Sequence, residues 1–353
     1  MYLATHELKA NKGRYGLVIL MLFLIAYLIY FLTGLAYGLA SNNRLAVDQW
    51  DASRISISKY ADGNLAASTL SGVNLKQLNS NQAPVGEMNA VATLNGGDDN
   101  IDATIFGIKF QSFIKPQLTK GHQVKADEQV VVDEQFNAGK VKIGDRLKIN
   151  GSHQKYQVVG LTQSNLYGTL PVVFTTLKTY NQLKYTNANA GNISGIVYKH
   201  KKDVKNVENA KIITPKTLIE NIPGYSAQNS TFSLMIGALF IIVLFIVAIF
   251  MYILTVQKIS VYGIMRAQGI SSKTLVNSIV VQALILGVIG VGLGLIANQL
   301  TVLILPAAMP YANNGMLVGG FSMGLLLMVI LGSVFSIRQI LKIDPIKAIG
   351  GAA

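Results

Sequence analysis

The sequence contains no cysteine, and only 13% of its 353 residues are charged. The absence of cysteine excludes disulfide bonds, thiolate metal sites and cysteine nucleophiles. Soluble domains carry about 25% charged residues, so the shortage of charge excludes an ordinary soluble enzyme. Hydrophobic residues make up 51% of the chain. Together these proportions indicate a membrane protein.

Four apolar stretches without Asp, Glu, Lys or Arg are long enough to cross a bilayer as helices, which takes about 20 residues. The first exceeds the ~7–15 residues of a signal-peptide core, so we read it as an uncleaved anchor. The third contains four glycines, and small residues let transmembrane helices approach closely. We therefore expect the third span to pack against a neighbour. The predicted spans are residues 17–39, 231–256, 275–305 and 316–337.

Basic residues are concentrated in the short segments outside these spans. Segments 1–16, 257–274 and 338–353 carry nine basic and two acidic residues, whereas residues 40–230 carry 21 basic and 15 acidic residues. Short segments rich in Lys and Arg stay on the cytoplasmic side. We therefore predict a protein of the cell membrane with both termini and the 257–274 loop in the cytoplasm, and the 40–230 domain outside. This topology accounts for the net charge of +13 without nucleic acid as a partner.

The large segment between the first two spans contains runs rich in Val, Ile and Tyr, separated by Gly, Asn and Asp turn signals. Between residues 41 and 128 the pattern is less regular and indicates short helices, strands and polar loops. The fold class predicted is a membrane α-helical protein with four transmembrane helices and an α+β extracytoplasmic domain between helices 1 and 2. The predicted strands cover residues 129–133, 146–150, 156–161 and 171–175.

The sequence contains no motif that would couple transport to ATP hydrolysis or to an ion gradient. It lacks the G-x-x-x-x-G-K-[ST] phosphate loop, and its spans lack the charged residues that ion-coupled carriers place at mid-membrane. The chain is therefore predicted not to be an enzyme. If it is a pump, the ATPase is a separate chain that must dock on the cytoplasmic face.

The 257–274 loop is the candidate docking segment. Its pattern predicts a helix over Ile259–Ala267, a stop at Gly269, and Ser271 and Ser272 as caps for the next helix. A short basic and apolar helix in the cytoplasm suits a groove on a partner protein. It equally suits an interfacial loop held by anionic membrane lipid, and the pattern alone does not separate the two.

The order of one span, a large outer domain and three spans resembles the FtsX/MacB-type ABC transporter permeases. The loop QKISVYGIMRAQGI (257–270) and the outer-domain stretch KVKIGDRLKINGSHQKYQVVGL (140–161) are similar to segments of that superfamily. Within it, TGLAYGLA (33–40) and DPIKAIGG (344–351) resemble the permeases of heme-regulated efflux transporters.

This resemblance implies a permease homodimer with a separate ABC-type ATPase subunit, exporting heme from the membrane by a mechanical squeeze. Heme is then the transported substrate, and no resident cofactor or metal of its own is implied. The resemblance favours ATPase coupling as the role of the loop, carried by Ile259, Tyr262, Gly263, Met265, Arg266 and Gly269.

Tyrosines are the candidate heme ligands. Ferric heme accepts His, Cys, Met or Tyr, but cysteine is absent and the outer-domain histidines lie in polar stretches. Tyr167 and Tyr225 stand where the heme-exporter pattern also has a tyrosine. The alternatives are an aromatic-belt role for Tyr225 and a packed loop aromatic for Tyr167.

Two other functions stay open from the sequence. The first is export of another amphipathic substrate, an antimicrobial peptide or a lipid. The second is an FtsX-like transducer that uses ATP inside the cell to activate a cell-wall hydrolase outside.

Overall fold

The computed structural model describes residues 12–97, 99–306 and 309–341, with the backbone alone for residues 12 and 335–341. The chain divides into two compact units. Among the described residues, the helical unit contains 12–37, 230–306 and 311–341, and the sheet unit contains 38–229 together with 309 and 310. The predicted tail 338–353 lies almost wholly outside the described residues.

Four helices are long and apolar enough to cross a membrane, and a sheet-rich domain lies between the first and the second of them. This confirms the predicted fold class. The first and second of these four helices extend beyond the predicted spans 17–39 and 231–256, while the membrane limits themselves stay predictions. The helices are α1 (Lys12–Asp48), α2 (Leu177–Tyr185), α3 (Pro215–Glu220), α4 (Tyr225–Val256), α5 (Ile259–Ala267), α6 (Ser272–Ile304) and α7 (Gly315–Leu341).

Three of the four glycines of α6 lie at contacts with other helices, as the sequence predicted for this span. A Cβ at Gly290 would stand 2.6 Å from Leu22 Cβ of α1, and one at Gly287 would stand 3.0 Å from Val329 of α7. Gly294 also faces α1. Gly292 differs, because no atom lies within 4 Å of its Cβ position.

The sheet unit contains eleven strands, most of which follow the order β11-β1-β10-β2-β3-β9-β5-β7-β4. The pairs β3–β9 and β5–β7 are parallel, and the other pairs are antiparallel. The four predicted strands are confirmed. The strands are β1 (Arg54–Ser58), β2 (Gln82–Leu94), β3 (Ile101–Ile108), β4 (Leu118–Gly121), β5 (Gln129–Asp133), β6 (Arg146–Ile149), β7 (Lys155–Thr162), β8 (Leu166–Tyr167), β9 (Leu170–Thr176), β10 (Gly195–Tyr198) and β11 (Ala210–Ile213).

The region between residues 41 and 128, for which the sequence predicts short helices, strands and polar loops, contains four strands and a short 3₁₀ helix (Leu75–Gln77), but the sequence did not locate these strands. This region contains β2, the longest strand, paired with β3 from Val85↔Ile108 to Ala92↔Ile101. The first seven residues of β2 are all buried. A strand covered on both faces does not alternate between apolar and polar residues, so the signal that marks a strand in the sequence is missing.

Both faces of the sheet carry a core. Successive residues of β3 divide between them, because Ile105 packs in one cluster with Val130 and Tyr180, whereas Phe106 packs in the other with Trp50. This division follows from the alternation of side chains along a strand. Trp50, the only tryptophan of the sequence, is thus a probe of the core of the sheet unit.

Candidate functional site

The short helix α5 begins and ends where the sequence predicts. Gly269, at φ +92°, stands two residues after its end and takes a backbone conformation that glycine adopts without strain. Ser271 caps the next helix, because its Oγ accepts a hydrogen bond from the Thr274 N–H at 3.2 Å. The prediction that Ser272 is also a cap is wrong, since it is the first residue of α6.

The residues predicted to couple to an ATPase lie mostly on the inner side of α5. Tyr262 and Gly263 are buried, and Ile259, Met265 and Arg266 are half-buried, while Gly269 is exposed. The outer side instead presents Val261 and Ile264, each 50% exposed. Tyr262 and Gly263 are therefore placed to hold α5 on the bundle, whereas Val261 and Ile264 are the large aliphatic residues that α5 exposes. Sequence analysis missed them because it could not tell which side of α5 faces the bundle.

The elbow between α4 and α5 consists of Gln257 and Lys258, and both contact the beginning of α1. Arg14 donates a hydrogen bond to the side chain of Gln257. The Lys258 ammonium donates to the Tyr15 hydroxyl at 3.3 Å and lies 5.7 Å from the centre of its ring. Tyr15 is 2% exposed, and its hydroxyl lies 3.5 Å from Oε1 of Gln282 on α6.

Tyr225 is the first residue of α4 and is half-buried against the core that contains Trp50. The guanidinium of Arg44 interacts with its hydroxyl. Arg44 also forms a bidentate ion pair with Asp48, with N–O distances of 2.7 and 2.9 Å. Tyr225 therefore has its phenol oxygen close to an exposed basic side chain, at a position that is only half-buried.

Tyr167 belongs to the same core but is buried within it, at 5% exposure. Its ring centre lies 5.4 Å from that of Phe106. Burial, together with the nearby carboxyl of Glu87, raises the pKa of the Tyr167 phenol well above its ordinary value. Ligation by Tyr167 thus requires the ring to leave the core, and of the two predicted ligands the geometry favours Tyr225.

Glu87 is a buried acid that sequence analysis did not single out. Its side chain is inaccessible to solvent, and neither carboxyl oxygen has a hydrogen-bond partner in the structure. Burial raises its pKa to about 7, against the attraction of Lys184. Among the described residues, no group of three or more acidic or histidine side chains is placed to hold a metal ion.

Comparison with known proteins identifies one matched domain and several similar permeases. Residues 232–345 match the FtsX-like permease C-terminal domain. A protein named as hemin transport system permease HrtB in Staphylococcus haemolyticus is 26% identical, and one in Staphylococcus epidermidis is 28% identical, each over 99% of both chains. An uncharacterised ABC transporter permease of Mycobacterium tuberculosis is 21% identical, again over 99% of both chains.

The chain contains an FtsX-like permease C-terminal domain and is similar over its whole length to ABC transporter permeases. The matched domain begins in α4 and contains α5 and α6, so the elbow and the exposed side of α5 belong to the part that defines the family. This confirms the resemblance drawn from the loop and the outer-domain stretch. The permease is a membrane protein and carries no phosphate loop of its own.

Proposed function

We propose that this permease exports heme as the membrane part of an ABC transporter that is powered by a separate ATPase subunit. The observation that carries the proposal is the similarity to two hemin transport permeases over 99% of each chain. In this proposal two permease chains form the transporter, with both termini and α5 in the cytoplasm and the sheet unit outside. Four spans in one chain offer too few helices to enclose a path, so the dimer takes heme laterally from the lipid.

Tyr225 is the residue proposed to bind the iron. A tyrosine oxygen is a ligand that ferric heme accepts, and the half-buried Tyr225 can present its oxygen without leaving a core. Arg44 is 45% exposed in its side chain, so solvent and ligands can reach it. Its pairing with Asp48 fixes the guanidinium on the turn of α1 that faces Tyr225.

Hemin titration of the purified permease tests this assignment. Tyr225→Phe is expected to remove the tyrosinate absorbance band and to weaken binding about tenfold or more, which corresponds to about 1.4 kcal/mol. Tyr60→Phe is the matched control, because Tyr60 lies in the same unit and is 77% exposed. If Tyr167→Phe removes the band and Tyr225→Phe does not, the ligand is Tyr167. Binding that does not saturate and is the same in all variants would mean that hemin only partitions into the membrane phase, and the heme proposal would fall.

The exposed side of α5 is proposed to dock the ATPase. Ile264→Asp places a charge in the centre of an apolar contact and is expected to abolish co-purification of the ATPase while the permease keeps its melting temperature. Ser260→Asp is the control, since Ser260 is an exposed polar residue of the same helix. An Ile264→Asp permease that still holds its ATPase would exclude this surface as the dock.

A further inference from the structure

The elbow of α4 and α5 is attached to α1 by two consecutive pairs. Arg14 binds Gln257, and Tyr15 binds Lys258. Lys258 is also the residue immediately before α5. Any displacement of α5 therefore acts first on the Lys258 backbone, whose side chain ends on Tyr15.

The Tyr15 hydroxyl joins three segments at one atom. It accepts from the Lys258 ammonium at 3.3 Å, and it can donate toward Gln282 of α6, 3.5 Å away. Tyr15 and Gln282 are each 2% exposed. A buried polar group that loses its partner is costly to leave unpaired, so these contacts resist being opened.

Tyr15 is also well placed to pass on a displacement. Its ring packs in the same core as Tyr262 of α5 and Leu275 of α6. It stands in the first turn of α1, an unbroken helix of 37 residues, which spans about 55 Å at 1.5 Å per residue. Tyr15 therefore stands where a displacement of α5 first reaches α1.

We propose that the Tyr15–Lys258 contact is the link that makes α1 move together with α5, so that both residues are positioning residues for ATP-driven transport. The inference rests on the proposed function, in which the ATPase acts on α5. In this proposal the ATPase touches only the exposed side of α5, and α1 moves because Tyr15 is bound to Lys258.

Spin labels test the link without heme. The chain has no cysteine, so a pair of cysteines at Leu20 of α1 and Ser260 of α5, both exposed, takes label at those sites alone. In the complex of the permease and its ATPase, the distance between the labels is expected to stay the same before and after vanadate trapping. In Tyr15→Phe and in Lys258→Met it is expected to change on trapping. A distance that changes in the otherwise unaltered protein, or that stays constant in both variants, would overturn the proposal.

Transport supplies the second measurement. In proteoliposomes, the amount of hemin exported per ATP hydrolysed is expected to fall at least threefold in Tyr15→Phe and in Lys258→Met. Tyr27→Phe is the control, because the Tyr27 hydroxyl also joins α1 to α6, bonded to Thr301 at 3.1 Å, but lies three turns from the elbow. If export and ATP hydrolysis fall in proportion, so that the ratio is kept, the contact is merely structural and the link is disproved. If the unaltered protein exports no hemin while the label distances behave as expected, the substrate is wrong and the link stands.

Discussion

Gly294→Val is expected to prevent the permease from folding stably. A Cβ at Gly294 would lie 2.8 Å from Ala26 Cβ and 2.9 Å from the backbone nitrogen of Tyr27 on α1. Real Cβ contacts are longer, and a backbone atom cannot rotate aside. Since overpacking costs about 1–3 kcal/mol even where side chains can adjust, we expect a loss of about 3 kcal/mol or more here, read as loss of the monodisperse protein in detergent.

Gly292→Val is the matched control for this prediction. It makes the same exchange on the same helix, so the intrinsic helix propensities of the two variants are equal. No atom lies within 4 Å of the Gly292 Cβ position, and we expect this variant to be obtained in ordinary yield. Equal losses in the two variants would show that the glycines matter for helix insertion rather than for the α1–α6 contact.

Glu87→Gln is expected to stabilise the sheet unit at pH 8. The pKa of Glu87 is raised from 4.5 to about 7 in the folded protein, so between these values the unfolded chain releases a proton that the folded chain retains. The contribution of Glu87 to the free energy of unfolding is therefore highest below pH 4.5, falls as the pH rises, and is lowest above pH 7. The full shift corresponds to about 3 kcal/mol, and a neutral glutamine avoids that loss.

Trp50 fluorescence measures this gain in the intact permease, because Trp50 is 2% exposed in the core of the sheet unit. For a domain of this size about 3 kcal/mol raises the melting temperature by roughly 6–12 °C. The gain should be small at pH 4.5, where Glu87 is protonated in the folded protein. Glu128→Gln, at an exposed position, should leave the melting curve unchanged at both pH values. A gain at pH 4.5 as large as that at pH 8 would mean that packing, not ionisation, is responsible.

Local signals in the sequence were enough to predict α5 and the four strands β5, β6, β7 and β9. A glycine in the left-handed region and a serine cap act within a few residues, so the limits of α5 follow from residues 257–274 alone. The strands β2 and β3 could not be found in this way, because they are covered on both faces by segments far away in the chain.

The candidate site shows the same limit. The sequence indicated tyrosines but not that the Tyr167 ring is buried against Phe106, while the half-buried Tyr225 has Arg44 beside it. These surroundings are created by segments more than 50 residues apart in the sequence. Likewise, four glycines predicted close helix packing, but only the structure separates Gly292, which faces open space, from Gly290 and Gly294.

The first strand of the sheet unit pairs with its last strands, and this has a consequence for biosynthesis. Residue Ile55 of β1 lies opposite Val197 of β10 and Ile213 of β11. At a synthesis rate of 5–20 residues per second, β1 waits roughly 8 to 30 s after α1 has been made before its partners leave the ribosome. During that time the edge of β1 is unpaired, which is the condition that promotes aggregation. A nascent chain of this protein should therefore depend on chaperones until β11 is complete.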